Sequence, residues 1–345
     1  MSHSSTAPPS RPSSPAPLYR RQAVRIACAQ YDVKLGRVSE NAAKVARMTR
    51  HLQPGSLDLL VLPEMCLSGY VFNHPTAILP YLEPQRIGPT SLLAQSLAQR
   101  LRCHVIAGYP EALPSAPQPP ETDAERSQSE SNAGPSSMKQ LEGEGTGVGW
   151  NSAVVVAPSG EVVGNYRKTF RFETDKSWAK EGDGFSHFDL PEPLGRVAVG
   201  ICMDMNPKDF IAPWDAFELA NYCRDNAVDM LVVPMNWLSP PEEPPEDTPE
   251  QDPNAPSESN LNYWAARLTP LHDPVPGYAS ARGQAADPIG GKEVIFVACN
   301  RIGSEEGTTF IGTSSVMTIS SEPSRIELVE CCNVSEERVL LATVG

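Results

Sequence analysis

Residues 57–70 read LDLLVLPEMCLSGY. The opening LDLLVLP (57–63) runs apolar without alternation, which marks a strand covered on both faces, as in the parallel sheets of α/β domains. Outward on the amino-terminal side, AVRIACA (23–29) is another strand. It is followed by a helical stretch from about Arg37 to Leu52 with Val38, Ala42, Val45 and Met48 on one face. On the other side come a helix near 91–102 and the strand CHVIAGYP (103–110). SAVVVAP and EVVGNYR form a hairpin about a turn at Ser159-Gly160. VAVGIC (197–202), a helix near 214–227 and DMLVVPM (229–235) make a further buried strand–helix–strand unit. A short helical piece around Tyr263–Leu268, a helix near 277–286, the strand EVIFVACN (293–300) and three short β segments complete the chain. Strands alternating with helices, joined to antiparallel hairpins, predict a layered α/β domain with a mixed sheet.

The chain has 345 residues and 35 prolines, about twice the usual proline content. Three stretches, 1–20, 112–147 and 239–260, hold 17 of them. They read as a disordered amino-terminal segment and two disordered, solvated insertions placed between core elements, where lengthening a loop costs little. One domain over 21–345 accommodates the rest. The formal net charge of −14 divides as +2, −4 and −7 over those stretches, leaving the remainder near −5. That remainder carries no basic stripe for nucleic acid, and no apolar run approaches the roughly 20 residues that span a bilayer.

Most of the eight cysteines sit inside apolar runs such as ICMDM and VIFVACN, and none forms a C-x-x-C. With six scattered histidines besides, a zinc site has nothing to build on. The amino terminus lacks the apolar core of a secretory signal, so reduced thiols in the cytoplasm are expected. The opening segment carries Ser and Arg and no acid before Asp32, a hint of a minor mitochondrial form, although its five prolines spoil an amphipathic helix.

Three places break the apolar strand pattern with a reactive residue at or just past a strand end, where α/β sheets carry their active sites. Glu64 follows Pro63 behind the LDLLVLP strand, either as a helix-start charge or as a desolvated base with a raised pKa. Lys168 lies in NYRKTFRF (165–172); taken singly, a lysine there is a solvated surface residue. Cys202 lies in VGICMDMNP (199–207), at a strand-to-turn transition whose backbone N–H groups can hold an oxyanion, although a buried cysteine is more often a small hydrophobe.

The order and spacing of Glu64, Lys168 and Cys202 resemble the nitrilase or carbon–nitrogen hydrolase superfamily. The text that carries the likeness spans most of the chain: RIACAQYDV, LLVLPEMCLSGY, AGYPE, WNSAVVVAPSGEVVGNYRK, GICMD, and FVACNRIG followed by FIGTSSV. Within it, YRKTFRFETDKSWAKEGDGF (166–185), GICMDMNPKDFIAPWDAFELANYC (200–223), VPMNWLSP (233–240) and LNYWAARLTPL (261–271) resemble the fungal protein N-terminal amidases. Many relatives place an aromatic-acid-x-Arg-Phe-Pro-Glu run after the cysteine; here Met203-Asp204-Met205-Asn206-Pro207 stands instead.

The resemblance implies a nitrilase-like α-β-β-α sandwich and an amidohydrolase of the N-degron pathway, which converts N-terminal Asn and Gln of proteins or peptides to Asp and Glu. It implies no cofactor and no metal, and a monomer or homodimer. Cys202 would be the nucleophile that forms a thioester, Glu64 the general base and acid, and Lys168 the oxyanion partner, aided by the backbone N–H of Met203. Glu111, in AGYPE, matches a second family carboxylate expected to support the lysine and position the substrate. A free α-amino group needs acceptors, for which Asp204, Glu173 and Asp175 are candidates, and Trp237 and Trp264 could wall the pocket. The competing readings are a small-molecule ω-amidase or carbamoyl hydrolase using the same three residues, a papain-like thiol hydrolase, for which no histidine sits in a suitable strand-end context, and a catalytically dead scaffold that binds partners through its insertions.

Overall fold

The computed structural model describes residues 22–114, 147–239, 252–273 and 292–345. Fourteen strands are found among them. In chain order they are β1 (Val24–Gln30), β2 (Leu59–Val61), β3 (His104–Ala112), β4 (Gly149–Val156), β5 (Val162–Arg167), β6 (Ser186–Asp189) and β7 (Arg196–Val199). There follow β8 (Met230–Pro234), β9 (Val294–Cys299), β10 (Ser304–Glu305), β11 (Thr308–Thr309), β12 (Ser315–Ser321), β13 (Ser324–Cys331) and β14 (Arg338–Val344).

Two six-stranded sheets result, ordered β14-β1-β2-β3-β4-β5 and β13-β12-β9-β8-β7-β6. Each has three parallel strands at its centre, β1-β2-β3 in one and β7-β8-β9 in the other, with antiparallel strands outside. The parallel strands are the apolar runs of the sequence, buried on both faces as such strands must be.

Alternation within those strands sorts the two faces. Ile26, Cys28, Leu59, Val61 and Ile106 join Val197, Val199, Val232 and Val297 in one core between the sheets. There the Cys299 thiol of β9 reaches the Val61 carbonyl of β2 at 3.3 Å. Ala27, Ala29, Leu60, Leu62 and Ala107 face the other way, onto the helices Val38–Thr49 and Pro89–Leu101, which contribute Val45, Ala94, Leu97 and Leu101. The helices Glu218–Asp225 and Glu258–Arg267 supply Leu219, Ala220, Cys223 and Trp264 to the core of the second sheet. The layers are therefore helix, sheet, sheet, helix, the expected α-β-β-α sandwich.

Two expectations change, and one strand is found where none was expected. The stretch 239–260 is described from residue 252 onward and is packed there: Ser257 is buried and caps the helix Glu258–Arg267 through the Asn260 N–H. That helix starts before Tyr263, and a seven-proline composition hid the Ser-Glu start signal. The strand β6, SHFD, is short, half-exposed and polar, so nothing in its pattern announced it. The helix expected near 277–286, the segment 1–20 and residues 115–146 and 240–251 of the two insertions lie outside the described residues. All eight cysteines are free. Among the described residues no helix is long and apolar enough to cross a membrane.

Candidate active site

Glu64 lies three residues beyond β2, Lys168 directly beyond β5 and Cys202 three residues beyond β7. The loop after β2 is held against β3, where Gly108 accepts the Cys66 N–H at 3.0 Å and donates to the Pro63 carbonyl at 3.2 Å. A Cβ on Gly108 would stand 2.5 Å from the Glu64 Cα, so only glycine lets the two backbones approach this closely.

The carboxylate of Glu64 and the ammonium of Lys168 meet in a fully buried cluster. Glu64 Oε1 accepts from Lys168 Nζ at 2.7 Å and from Asn151 Nδ2 at 2.6 Å. Lys168 also donates to Asp175 Oδ2 at 2.6 Å. Asp175 accepts in addition from the Phe172 N–H (2.9 Å), Asn151 Nδ2 (2.9 Å) and the Tyr70 hydroxyl (3.3 Å). No more than 1% of Glu64, Asn151, Lys168 or Asp175 is exposed, so their charges interact with little screening.

Burial pushes the Glu64 carboxyl up; the Lys168 ammonium opposes this and the Asp175 charge adds to it, leaving a base stronger than an ordinary glutamate. Burial alone would push Lys168 down, but Asp175 and Glu64 outweigh it and hold the ammonium protonated well above its usual range. For Cys202, burial and then Glu64 push the thiol up, partly offset by Lys168 and by the Asn236 backbone N–H. Cys202 therefore rests as a thiol and needs a base to become a nucleophile. The second Glu64 oxygen, Oε2, is buried without a hydrogen-bond partner among the described residues.

Cys202 opens a 3-10 turn, Cys202–Met205, with φ +40°, a left-handed conformation that a side chain adopts only when its surroundings enforce it. Asp204 provides the enforcement. Its carboxylate accepts from the Ile201 N–H (2.8 Å), the Phe170 N–H (2.7 Å) and the Tyr166 hydroxyl (2.7 Å). The Met203 N–H has no backbone partner among the described residues. Beside the turn opens a cavity of about 400 Å³ lined by Cys202, Met203, Tyr70, Phe172, Asn206, Phe210, Asn236, Trp237, Leu238, Ser259, Asn260 and Tyr263. An amide carbonyl set against Cys202 there meets a thiol on which the buried Glu64 and Lys168 charges act.

Of the residues singled out in the sequence, Glu64, Lys168 and Cys202 come together here, and Met203 and Trp237 line the cavity. Glu111 does not reach the lysine. It accepts from Ser152 Oγ (2.7 Å), Asn165 Nδ2 (2.8 Å) and the Arg167 guanidinium, because adjacent side chains leave a strand on opposite faces and Glu111 lies on the side of Arg167. The support of Lys168 is Asp175. None of the three acids proposed for an α-amino group lines the cavity. Asp204 is occupied in the turn, Asp175 is occupied with the lysine, and Glu173 is 73% exposed and paired with Lys176. Trp264 is fully buried in the core. Sequence reasoning missed Asn151, whose signal was a polar residue entering an apolar strand, and Asn236, whose signal was an amide two residues past β8. Among the described residues no group of three or more His, Cys, Asp or Glu side chains is placed to hold a metal.

Comparison with known proteins places this geometry among relatives. The carbon-nitrogen hydrolase family matches residues 25–211. A protein N-terminal amidase of Schizosaccharomyces pombe is 31% identical over 312 residues, covering 86% of this chain and 92% of the relative. The crystal structure of an N-terminal amidase with an Asn-Glu peptide superimposes with a TM-score of 0.70 at 22% identity, over 94% of this chain and 99% of that one. The corresponding structure with a Gln-Gly peptide gives a TM-score of 0.69 at the same identity and coverage.

Proposed function

The chain belongs to the carbon–nitrogen hydrolase family, and from that premise we propose that it hydrolyses the side-chain amide of N-terminal Asn and Gln of peptides and proteins, through Cys202, Glu64 and Lys168. Cys202 Sγ attacks the amide carbon as Glu64 takes the thiol proton. The electron pair of the C=O bond moves to oxygen, and the resulting oxyanion faces the Lys168 ammonium and the Met203 N–H. When the tetrahedral adduct collapses, the C–N bond breaks and Glu64 delivers its proton to the departing nitrogen, giving ammonia and a thioester. Glu64 then takes a proton from water as the oxygen attacks the thioester. Cys202 leaves, recovers that proton, and the product is an N-terminal Asp or Glu.

The residue types fit this sequence. A thiol held neutral by burial needs a base beside it, and a carboxylate raised toward neutrality serves as base and acid in turn. An ammonium pinned by two carboxylates cannot surrender its proton to the oxyanion and so acts as a fixed charge.

The observation that carries the substrate assignment is the 31% identity to a protein N-terminal amidase along 92% of its length. The test is ammonia release from peptides beginning with Asn or Gln, from the same peptides acetylated at the amino terminus, and from peptides with Asn second. The free N-terminal peptides are expected to exceed both others by at least about 10³-fold, since a site built for a buried polar group rejects analogues that leave it unpaired. Equal turnover of free and acetylated peptides would transfer the assignment to a small-molecule amidase.

A further inference from the structure

Three side-chain amides line the cavity, Asn206, Asn236 and Asn260, and among them Asn236 alone has both side-chain atoms buried without a partner among the described residues. Asn236 stands two residues past β8, only 2% exposed, and both Oδ1 and Nδ2 are buried without a hydrogen-bond partner among the described residues. Its backbone is fixed on both sides: the Met235 N–H donates to the Cys299 carbonyl at 2.8 Å and the Trp237 N–H to Asn300 Oδ1 at 2.9 Å. Its own N–H faces the Cys202 sulfur. Asn300, the neighbour that anchors Trp237, shows what a structural amide looks like in this fold. It is equally buried, and its Oδ1 and Nδ2 are both engaged, with Trp237 and with the Gly312 carbonyl.

A buried amide that is rigidly held and unpaired on both atoms is suited to a ligand rather than to the core. The ligand chemistry follows from the rest of the wall. No carboxylate lines the cavity, Asn206 Oδ1 is taken by the Tyr263 hydroxyl at 2.7 Å, and the three acids that could have met an ammonium are occupied elsewhere or exposed. A primary ammonium entering this space beside Cys202 must find a neutral oxygen.

We infer that Asn236 is the specificity-determining residue that reads the free amino terminus of the substrate, its Oδ1 accepting from the α-ammonium of the residue whose side-chain amide is set against Cys202. This rests on the assignment of N-terminal Asn and Gln as substrates. A neutral acceptor suits a site that already concentrates Glu64 and Asp175, because a third carboxylate next to Cys202 would push the thiol further from ionisation. An N-terminal Asn or Gln carries the ammonium a few bonds from the reacting amide, so one side chain adjoining Cys202 can register both.

The experiment compares two substrates on three enzymes: an Asn-initiated peptide and its des-amino analogue, a succinamoyl peptide, with wild type, Asn236→Leu and Asn236→Asp. The readout is the ratio of kcat/KM for the amino over the des-amino substrate, which a merely structural defect would not move. Wild type is expected to favour the amino substrate strongly. Asn236→Leu, of similar size and without an acceptor, is expected to reduce that ratio at least about tenfold, mainly through KM. Asn236→Asp, which keeps an acceptor at the same place, is expected to keep or raise it. A ratio unchanged in Asn236→Leu, or lost in Asn236→Asp while the enzyme still turns over, overturns the inference. A wild-type ratio near one overturns the N-terminal assignment itself, whatever Asn236 does. Should Asn236→Leu not fold, the Asp variant still decides.

Discussion

Asp175→Asn changes one charge and no volume. In the structure each Asp175 oxygen accepts from a different donor set: Oδ2 from Lys168, the Phe172 N–H and Tyr70, Oδ1 from Asn151. An amide has one oxygen, so whichever way it turns its Nδ2 confronts a donor. At the 2.6 Å separation from Lys168 Nζ, the lost charge is worth about 6 kcal/mol at an effective dielectric constant near 20. Removing one partner of a buried pair typically costs about 3–5 kcal/mol of stability. Two readouts follow. The urea midpoint should fall sharply, and kcat should fall about 10²–10³-fold, the cost of a misplaced oxyanion partner. A third readout carries a sign. Asp175 pushes the Glu64 carboxyl up, so its removal lowers that pKa and moves the acid limb of the kcat/KM profile to lower pH. Ammonia release from an Asn-initiated peptide, followed from about pH 5 to 9, measures the last two. A variant with wild-type kcat and an unmoved acid limb would show that Asp175 is not what holds Lys168 in the reaction.

Lys168→Arg should fail nearly as badly as Lys168→Ala, about 10²–10³-fold in kcat, because a planar guanidinium cannot occupy a buried slot between two carboxylates and still present one donor to an oxyanion; a loss of less than tenfold in ammonia release would make the lysine a structural ion. Glu83, buried over the start of the helix Pro89–Leu101, accepts from the Thr90 N–H and hydroxyl, yet burial pushes its carboxyl up to about 7. Its contribution to stability is therefore full below about pH 4.5 and is lost as pH rises to about 7, up to about 3 kcal/mol. In urea melts Glu83→Gln should gain on wild type progressively over that window and level off above it, and parallel curves would refute the assignment.

The fold was legible where burial writes itself into composition. LDLLVLP, VAVGIC, DMLVVPM and EVIFVACN lack alternation because β2, β7, β8 and β9 are covered on both faces, and that alone predicts parallel pairing inside a layered domain. What was not legible is short or paired by distant partners. β6 has three half-exposed residues and an exposed Asp189, with no apolar period, and the helix Glu258–Arg267 begins inside a proline-rich, acidic text whose composition outweighed its local cap. Glu64, Lys168 and Cys202 were visible because each interrupts the pattern just past a strand. Their supporting residues were read less well: Asp175 was singled out for a substrate charge rather than for Lys168, and Asn151, a polar residue entering an apolar strand, meets Glu64 across 87 residues of chain.

Asp204 shows most clearly why residue type and position fall short of role. Two residues after the nucleophile, it read as a candidate to meet the substrate's charge. Instead its carboxylate ties the turn after β7 to β5 and the segment following it: Ile201 donates from the first, Tyr166 and Phe170 from the second. Those are the two backbones that carry Cys202 and Lys168. A buried carboxylate with three donors, its pKa pushed up by burial to about 6, is still ionised at neutral pH, so the tie keeps its charge under working conditions. The left-handed φ at Cys202 is strain of the kind that persists only when surrounding contacts over-determine it, and Asp204 makes those contacts on both sides of the thiol. The geometry between Cys202 and Lys168 is thus set by a residue that lines no part of the cavity. The recognition of the substrate's charge then passes to a neutral side chain, Asn236, for which no acid-seeking reading of the sequence would have looked.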